Sequence, residues 1–178
     1  MSDTITTPAI DALRDKLPDL AKDLRLNLQS VLRPEKLTQS QVWGTALASA
    51  YFVRCEELSD ALLADAKAAD VGEDVIEDAK AAAALMAMNT TYYRFRHLIE
   101  SEAYKMPARL RMSRMAQPAT SKVDFELFAM ACAALSGCQM CVNAHEASIK
   151  KHGLSEEHVH DSVRIASVIN GVATALSL

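Results

Sequence analysis

The feature that most constrains the fold is a long stretch without a helix breaker. From Glu73 to about residue 102 the sequence contains neither glycine nor proline, and it includes the alanine-rich run "AKAAAALMAM". The whole chain of 178 residues has only five glycines and five prolines, and half of its residues are apolar. No segment alternates apolar and polar residues as a half-buried strand does. We therefore expect an all-α fold, with residues 1–178 forming a single compact helical domain.

Capping and breaking residues divide this domain into helical segments. Pro18 suits the start of the second helix, Pro34 stops it, and Thr38 or Ser40 caps the third. Residues 103–121 hold two prolines and are expected to be irregular, with one helical turn at "ARLRM". The predicted helices cover residues 8–16, 19–32, 39–54, 56–69, 73–102, 122–135, 138–152 and 156–176.

An internal repeat of three helices is indicated by an offset of 83 residues. Shifting the chain by this amount aligns about 42–91 with 125–174, and the predicted helix breaks coincide. Alanine pairs also match by chance, so the other identities carry more weight: Cys55/Cys138, Lys67/Lys150, Glu73/Glu156, Asp78/Asp161 and Thr91/Thr174. In this alignment, reactive residues of the second half correspond to apolar residues of the first half: Cys141/Leu58, His145/Leu62 and Glu126/Trp43.

Charge and hydropathy argue against several classes of function. The net charge is −4 and no basic tract is present, which disfavours nucleic-acid binding. The start "MSDTITTPAIDALRDKLPDL" has no apolar run behind a basic end, and no stretch is long and apolar enough to span a bilayer. We therefore expect a cytoplasmic protein, in which cysteines serve as thiols, metal ligands or a redox pair.

The stretch "SGCQMCVNAHE" carries the strongest chemical signal. Gly137 suits the bend between two helices, which places Cys138 at the start of the second helix and Cys141 one turn inside it. Residues three and four apart on a helix are neighbours, so Cys138 lies beside Cys141, and His145 shares the face of Cys141. A helix N-terminus favours thiolate, His145 can accept a proton, and the two sulfurs can close a disulfide. These are the parts of a dithiol oxidoreductase.

Two other interpretations of the same residues stay open at this point. Zinc could be held by Cys138, Cys141 and His145, with a fourth ligand from Cys132, Glu126 or His152, although the spacing is not that of a usual zinc knuckle. The cysteines could also be inert core residues. Glu126 interrupts the apolar helix "VDFELFAMACAAL" and either points inward, where burial would raise its pKa and suit it to accept protons, or is exposed.

In these motifs and in several other stretches, the chain resembles the AhpD-type alkyl hydroperoxidases, within the wider carboxymuconolactone-decarboxylase-like fold. The resemblance runs over nearly the full length, through "DLRLNLQSVL", "VWGTALASA", "MNTTYYRFRH" and "PARLRM". Its most specific part is "FELFAMACAALSGCQMCVNAHE", which holds Glu126, Cys138, Cys141 and His145 in the order and spacing of the family.

The resemblance implies a thiol-dependent alkyl hydroperoxide reductase with no bound metal or organic cofactor. It implies that Cys141 is the peroxidatic thiol that becomes a sulfenic acid, that Cys138 is the resolving thiol and proton donor, and that Glu126 and His145 relay protons. It further implies a homotrimer, an AhpC-type peroxiredoxin as partner, and reduction by dihydrolipoamide on a 2-oxo-acid dehydrogenase component.

Two points within the site do not follow from the resemblance alone. The helix dipole favours Cys138 as the more acidic thiol, whereas His145, four residues after Cys141, favours Cys141. Because the family resemblance also indicates Cys141, we assign the peroxidatic role to Cys141. Family members carry a second histidine where this chain has Met140, and we expect the core dithiol chemistry to be retained despite this difference. Alternative functions are a protein-disulfide reductase and a redox-sensing protein without significant peroxidase activity, whereas a decarboxylase would not need a CxxC pair.

Overall fold

A computed structural model describes residues 7–33 and 35–178. The stop assigned to Pro34 and the first six residues of the amino-terminal segment lie outside the described residues. Within the described part of the chain all regular secondary structure is helical, as predicted. The helices are α1 Pro8–Lys16, α2 Lys22–Val31, α3 Gln39–Val53, α4 Glu56–Ala68, α5 Glu73–Ile99, α6 Ser113–Ala116, α7 Lys122–Ser136, α8 Gln139–Lys151 and α9 Glu156–Leu176.

Helices α3 and α7 form the centre of the fold. Helix α3 packs against α4, α5, α7 and α9, while α7 packs against α3, α5, α8 and α9. Both are apolar around most of their circumference, as helices surrounded by other helices must be. Helix α1 lies on α4, and α2 lies on α9, so the amino-terminal helices cover the outside of this bundle.

The two central helices pack closely together at Gly44 of α3. A Cβ atom built at this position would lie 2.1 Å from Cζ of Phe128 on α7, far inside van der Waals contact. The ring of Phe128 is fully buried and has no solvent to move into. Gly44 therefore allows the α3–α7 crossing, which places the Cys138 end of α7 against the rest of the core.

Corresponding helices of the two halves start at a constant separation. Helices α3, α4 and α5 begin at residues 39, 56 and 73, and α7, α8 and α9 begin at 122, 139 and 156, an offset of 83 each time. The junctions match as well, because Arg54 and Gly137 both adopt left-handed backbone conformations just before the equivalent cysteines Cys55 and Cys138. This constant offset supports the proposed duplication of a three-helix unit.

Most helix boundaries agree with the sequence-based expectation to within one residue, and three places differ by more. The predicted helix 19–32 is divided, since Asp19–Ala21 forms a 3-10 turn before α2 begins. The long helix ends at Ile99 instead of residue 102, because Glu100 turns left-handed with φ 47°. The helical turn expected at "ARLRM" was wrong: it lies at Ser113–Ala116, after Arg109 takes up φ 52°.

Other local signals were interpreted correctly. Thr38, one of the two proposed caps, accepts a hydrogen bond from the Gln41 backbone N–H at 3.3 Å, and the Gln41 side chain accepts one from the Thr38 N–H at 3.0 Å. This capping box fixes the start of α3. None of the helices described is long and apolar enough to cross a membrane.

Candidate active site

The turn between α7 and α8 places the two cysteines. Gly137 has φ 66°, the left-handed conformation that ends α7 and that glycine adopts without strain. The Cys138 N–H then donates to the Ala133 carbonyl at 3.3 Å, and Cys138 becomes the N-cap of α8. Cys141 therefore lies one turn inside the helix, as the spacing predicted.

Cys138 and Cys141 are joined as a disulfide, with their Cα atoms 5.3 Å apart. The Sγ of Cys138 also accepts a hydrogen bond from the Cys141 backbone N–H at 3.4 Å, so this sulfur faces the positive end of α8. Cys138 is fully buried, whereas 6% of Cys141 is exposed. Cys141 is therefore the less completely buried member of the pair.

Glu126 and His145 form a buried pair next to this turn. The Oε2 atom of Glu126 lies 2.6 Å from Nδ1 of His145, and both side chains are almost entirely removed from solvent. Of the two positions considered for Glu126, inward and exposed, the structure shows the inward one. Since Nδ1 is engaged by the carboxylate, Nε2 is the ring nitrogen left to exchange a proton with another group.

Lys122 completes the surroundings of the carboxylate. Its Nζ lies 2.6 Å from the other carboxylate oxygen of Glu126, Oε1, and donates to the Met115 carbonyl oxygen at 2.7 Å. Lys122 was not among the site residues predicted from the sequence. Its position four residues before Glu126 on the same helix was the signal that could have indicated it.

These contacts reverse the expected pKa shift of Glu126. Burial favours the protonated acid, but the hydrogen bonds and charges of His145 and Lys122 outweigh burial, so the pKa of Glu126 lies below its ordinary value. The expectation that burial would raise the pKa was wrong, because it assumed a carboxyl group without a cation beside it. Glu126 is therefore a carboxylate at neutral pH.

The first half of the chain has buried apolar side chains at the positions equivalent to Glu126, Cys141 and His145. Trp43, Leu58 and Leu62, which the offset of 83 pairs with Glu126, Cys141 and His145, are all fully buried. Cys55, the counterpart of Cys138, is a free, half-buried thiol. The three-helix arrangement therefore forms without the polar residues Glu126, Cys141 and His145.

The remaining residues considered in the sequence take no part in the disulfide or in the Glu126–His145 contact. Cys132 is buried in α7, burial raises its thiol pKa well above the ordinary value, and its Sγ lies 3.7 Å from the Ala48 carbonyl oxygen. His152 is exposed at the end of α8. Met140, between the two cysteines, is 41% exposed. In the part of the chain that the structure describes, no group of three or more His, Cys, Asp or Glu side chains is placed to hold a metal ion.

Comparison with known proteins defines the class. The model of the carboxymuconolactone decarboxylase family matches residues 101–178, the part that contains the disulfide and the Glu126–His145 pair. Relatives named alkyl hydroperoxide reductase AhpD cover almost the whole chain. The relative from Anaeromyxobacter dehalogenans (strain 2CP-C) is 54% identical over 171 residues, which is 96% of this chain and 91% of the relative.

More distant relatives carry the same name. The protein from Rhodospirillum centenum is 48% identical and that from Maricaulis maris 44% identical, and the matches cover 94% and 95% of this chain and 90% and 98% of theirs. The fold and the site thus define a helical oxidoreductase with a CxxC pair. The chain belongs to the AhpD family of alkyl hydroperoxide reductases, as the resemblance of its motifs indicated.

Proposed function

We propose that this chain reduces alkyl hydroperoxides through a dithiol–disulfide cycle of Cys138 and Cys141. The observation that carries the proposal is the Cys138–Cys141 disulfide at the start of α8, with the buried Glu126–His145 pair on the adjoining helices. The disulfide corresponds to the oxidised end of the cycle. The names of the relatives support peroxide reduction as its purpose.

The proposed reaction begins at Cys141. His145, held by Glu126, takes the thiol proton, and the Cys141 thiolate attacks the terminal oxygen of the hydroperoxide. The O–O bond breaks, Cys141 becomes a sulfenic acid, and the departing alkoxide takes up a proton to leave as an alcohol. Cys141 has this role because it is the less completely buried cysteine of the pair and shares a helix face with His145.

Cys138 completes the first half of the cycle. Its sulfur attacks the Cys141 sulfenic acid, releases water and forms the disulfide. Cys138 suits this internal step because it is fully buried and already lies beside Cys141. A dithiol then reduces the disulfide by two exchange steps, so that one hydroperoxide and one dithiol give one alcohol, one water and one disulfide.

The partners that we propose follow the family resemblance. The electron donor is dihydrolipoamide carried by a 2-oxo-acid dehydrogenase component, and the chain also passes electrons to an AhpC-type peroxiredoxin. No bound cofactor is required, because the two cysteines hold both electrons. A cytoplasmic location agrees with a cycle that must return to the dithiol.

We also propose that the chain forms a homotrimer. A group of large apolar side chains is exposed at the end of α5 and in the segment after it: Phe95, Leu98, Ile99, Tyr104 and Met106. Exposed apolar side chains grouped in this way are typical of subunit interfaces. Light scattering on the purified chain tests the assignment, which predicts a mass three times that of the 19.4 kDa chain.

The function is tested by measuring alcohol formation from an organic hydroperoxide, with dihydrolipoamide as reductant and with or without an AhpC-type peroxiredoxin. We expect turnover by the chain alone. Cys55→Ser is the matched control, since Cys55 occupies the N-cap of α4 as Cys138 does that of α8, and this variant should keep full turnover. Turnover only in the presence of the peroxiredoxin would instead identify a protein-disulfide reductase.

A further inference from the structure

We propose that Lys122 is a positioning residue for proton transfer at the active site. Its ammonium group holds Oε1 of Glu126, so that Oε2 is directed at Nδ1 of His145 and the imidazole keeps Nε2 free to accept the thiol proton. The inference rests on the proposed function for the reaction that it serves. Its effect on His145 can be observed without any turnover.

The geometry gives each carboxylate oxygen one partner. Nζ of Lys122 lies 2.6 Å from Oε1, and Nδ1 of His145 lies 2.6 Å from Oε2. Lys122 is itself held at a second point, because Nζ donates to the Met115 carbonyl oxygen at 2.7 Å. An ammonium group fixed between two acceptors restricts the rotation of the Glu126 carboxylate, and hence the orientation of His145.

The Met115 carbonyl is a firm anchor for Lys122. It lies in the short helix α6, whose neighbouring Arg114 donates from Nε to Oδ1 of Asp78 on α5 at 2.6 Å. Asp78 is fully buried and also accepts from the backbone N–H and the hydroxyl of Thr120, at 2.7 Å and 2.6 Å. The segment that carries Met115 is therefore fastened to the core on both sides of this carbonyl.

The buried carboxylates on the other elements packed against α7 are engaged elsewhere. Helix α3 has no charged residue, and on α7 itself Asp124 is bound by Gln41 and Ser121. Asp78 of α5 pairs with Arg114 of α6, and Asp161 of α9 pairs with Arg164. Among the described residues, Lys122 and His145 are the groups whose charges and hydrogen bonds lower the pKa of Glu126.

Lys122 acts by determining which ring nitrogen of His145 carries the proton. With the ammonium group present, Glu126 is ionised and His145 donates Nδ1–H to it, which leaves the Nε2 lone pair for the Cys141 proton. Without the ammonium group, burial favours a protonated Glu126. The acid would then donate to Nδ1, the ring hydrogen would reside on Nε2, and His145 could no longer accept the thiol proton.

The test is ¹⁵N NMR of the histidine ring nitrogens in the full-length reduced chain, with the His145 signals assigned by their loss in His145→Asn. We expect the Nδ1–H tautomer in the unsubstituted chain and in Lys122→Arg, which keeps the positive charge. In Lys122→Met we expect a shift toward the Nε2–H tautomer. Lys150→Met is the matched control, because Lys150 also pairs with a glutamate four residues away on a helix, but at an exposed position.

The pH profile of kcat/KM gives a second readout. In Lys122→Met the acid limb should move to higher pH by about one unit, which corresponds to roughly a tenfold loss at a pH on that limb. Lys122→Arg and Lys150→Met should retain the original profile. A merely structural role for Lys122 would lower the rate at every pH and leave the limb in place.

The outcomes separate this inference from the proposed function. An unchanged tautomer and acid limb in Lys122→Met, with Glu126→Gln still impaired, would overturn the role of Lys122 and leave the peroxidase assignment standing. A chain without peroxide turnover, whose His145 tautomer nevertheless depended on Lys122, would overturn the proposed function and support the positioning role.

Discussion

Oε2 of Glu126, on α7, lies 2.6 Å from Nδ1 of His145, on α8, and both side chains are buried. This contact joins the two helices on either side of the Gly137 turn that sets the CxxC pair. The pair replaces Trp43 and Leu62 of the first half, which are apolar and fully buried. Helices in the first half pack in the same arrangement without a buried carboxylate–imidazole pair. We therefore expect the pair to serve proton transfer and not the packing of the helices.

Removal of either member of the pair should slow peroxide reduction far more than it changes the fold. Proton transfer by a positioned side chain contributes on the order of 100-fold or more, so Glu126→Gln and His145→Asn should lower kcat/KM by at least about that factor. Steady-state kinetics with an organic hydroperoxide measures the effect. Glu146→Gln, which alters a partly exposed carboxylate on α8 outside the Glu126–His145 pair, is the control and should stay near the unsubstituted rate.

Acid should destabilise the protein partly through Glu126. Because folding lowers the pKa of this carboxyl below its ordinary value of 4.5, its ionised form stabilises the folded chain above about pH 4.5. That stabilisation is lost as the pH falls through the lower folded-state pKa. Urea unfolding between pH 3 and pH 7 should therefore show a weaker acid dependence in Glu126→Gln, by up to about 1.4 kcal/mol per pH unit.

The matched control for this acid effect is Glu156→Gln. Its pKa is also lowered, by the hydrogen bond and charge of Lys150, but it is fully exposed. Solvent screens such pairs, so the variant should unfold with the acid dependence of the unsubstituted chain. An equal change in both variants would show that the buried position of Glu126 has no special part in acid stability.

The crossing of α3 and α7 should not tolerate a side chain at Gly44. Alanine is the better helix former, but its Cβ would lie 2.1 Å from the buried Phe128 ring, and the strain of overpacking should exceed the gain in helix propensity. We expect Gly44→Ala to lower the free energy of unfolding by about 1–3 kcal/mol, measured by urea denaturation. Gly171→Ala is the control: the one close contact of its Cβ would be with a terminal methyl group of the half-buried Leu24 side chain, which can move aside, so stability should change less.

Local signals were sufficient for most of the fold. The cap at Thr38, the left-handed turn at Gly137 and the N-cap position of Cys138 each depend on residues within a few positions, and the sequence predicted them correctly. The wrong predictions concern segments whose conformation depends on contacts with residues distant in the sequence. The segment before α7 is fastened by Asp78, some forty positions away, so its helical turn formed at Ser113–Ala116 and not at "ARLRM".

The same distinction applies within the site. Cys138, Cys141 and His145 share one short stretch, so helical spacing placed them. The charge state of Glu126 depends on His145 from another helix and on Lys122, whose ammonium group is held by the Met115 carbonyl. Burial alone suggested a raised pKa, and only the three-dimensional arrangement shows why the shift has the opposite sign.

The central claim is tested most directly by mapping the thiols with mass spectrometry after one equivalent of an organic hydroperoxide is added to the reduced chain. We predict one alcohol released per chain and a Cys138–Cys141 link, with Cys55 and Cys132 unchanged. In Cys138→Ser, a sulfenic acid that dimedone traps should accumulate on Cys141, and Cys141→Ser should consume no peroxide. Oxidation first at Cys138, or full peroxide turnover by Cys141→Ser, would contradict the account.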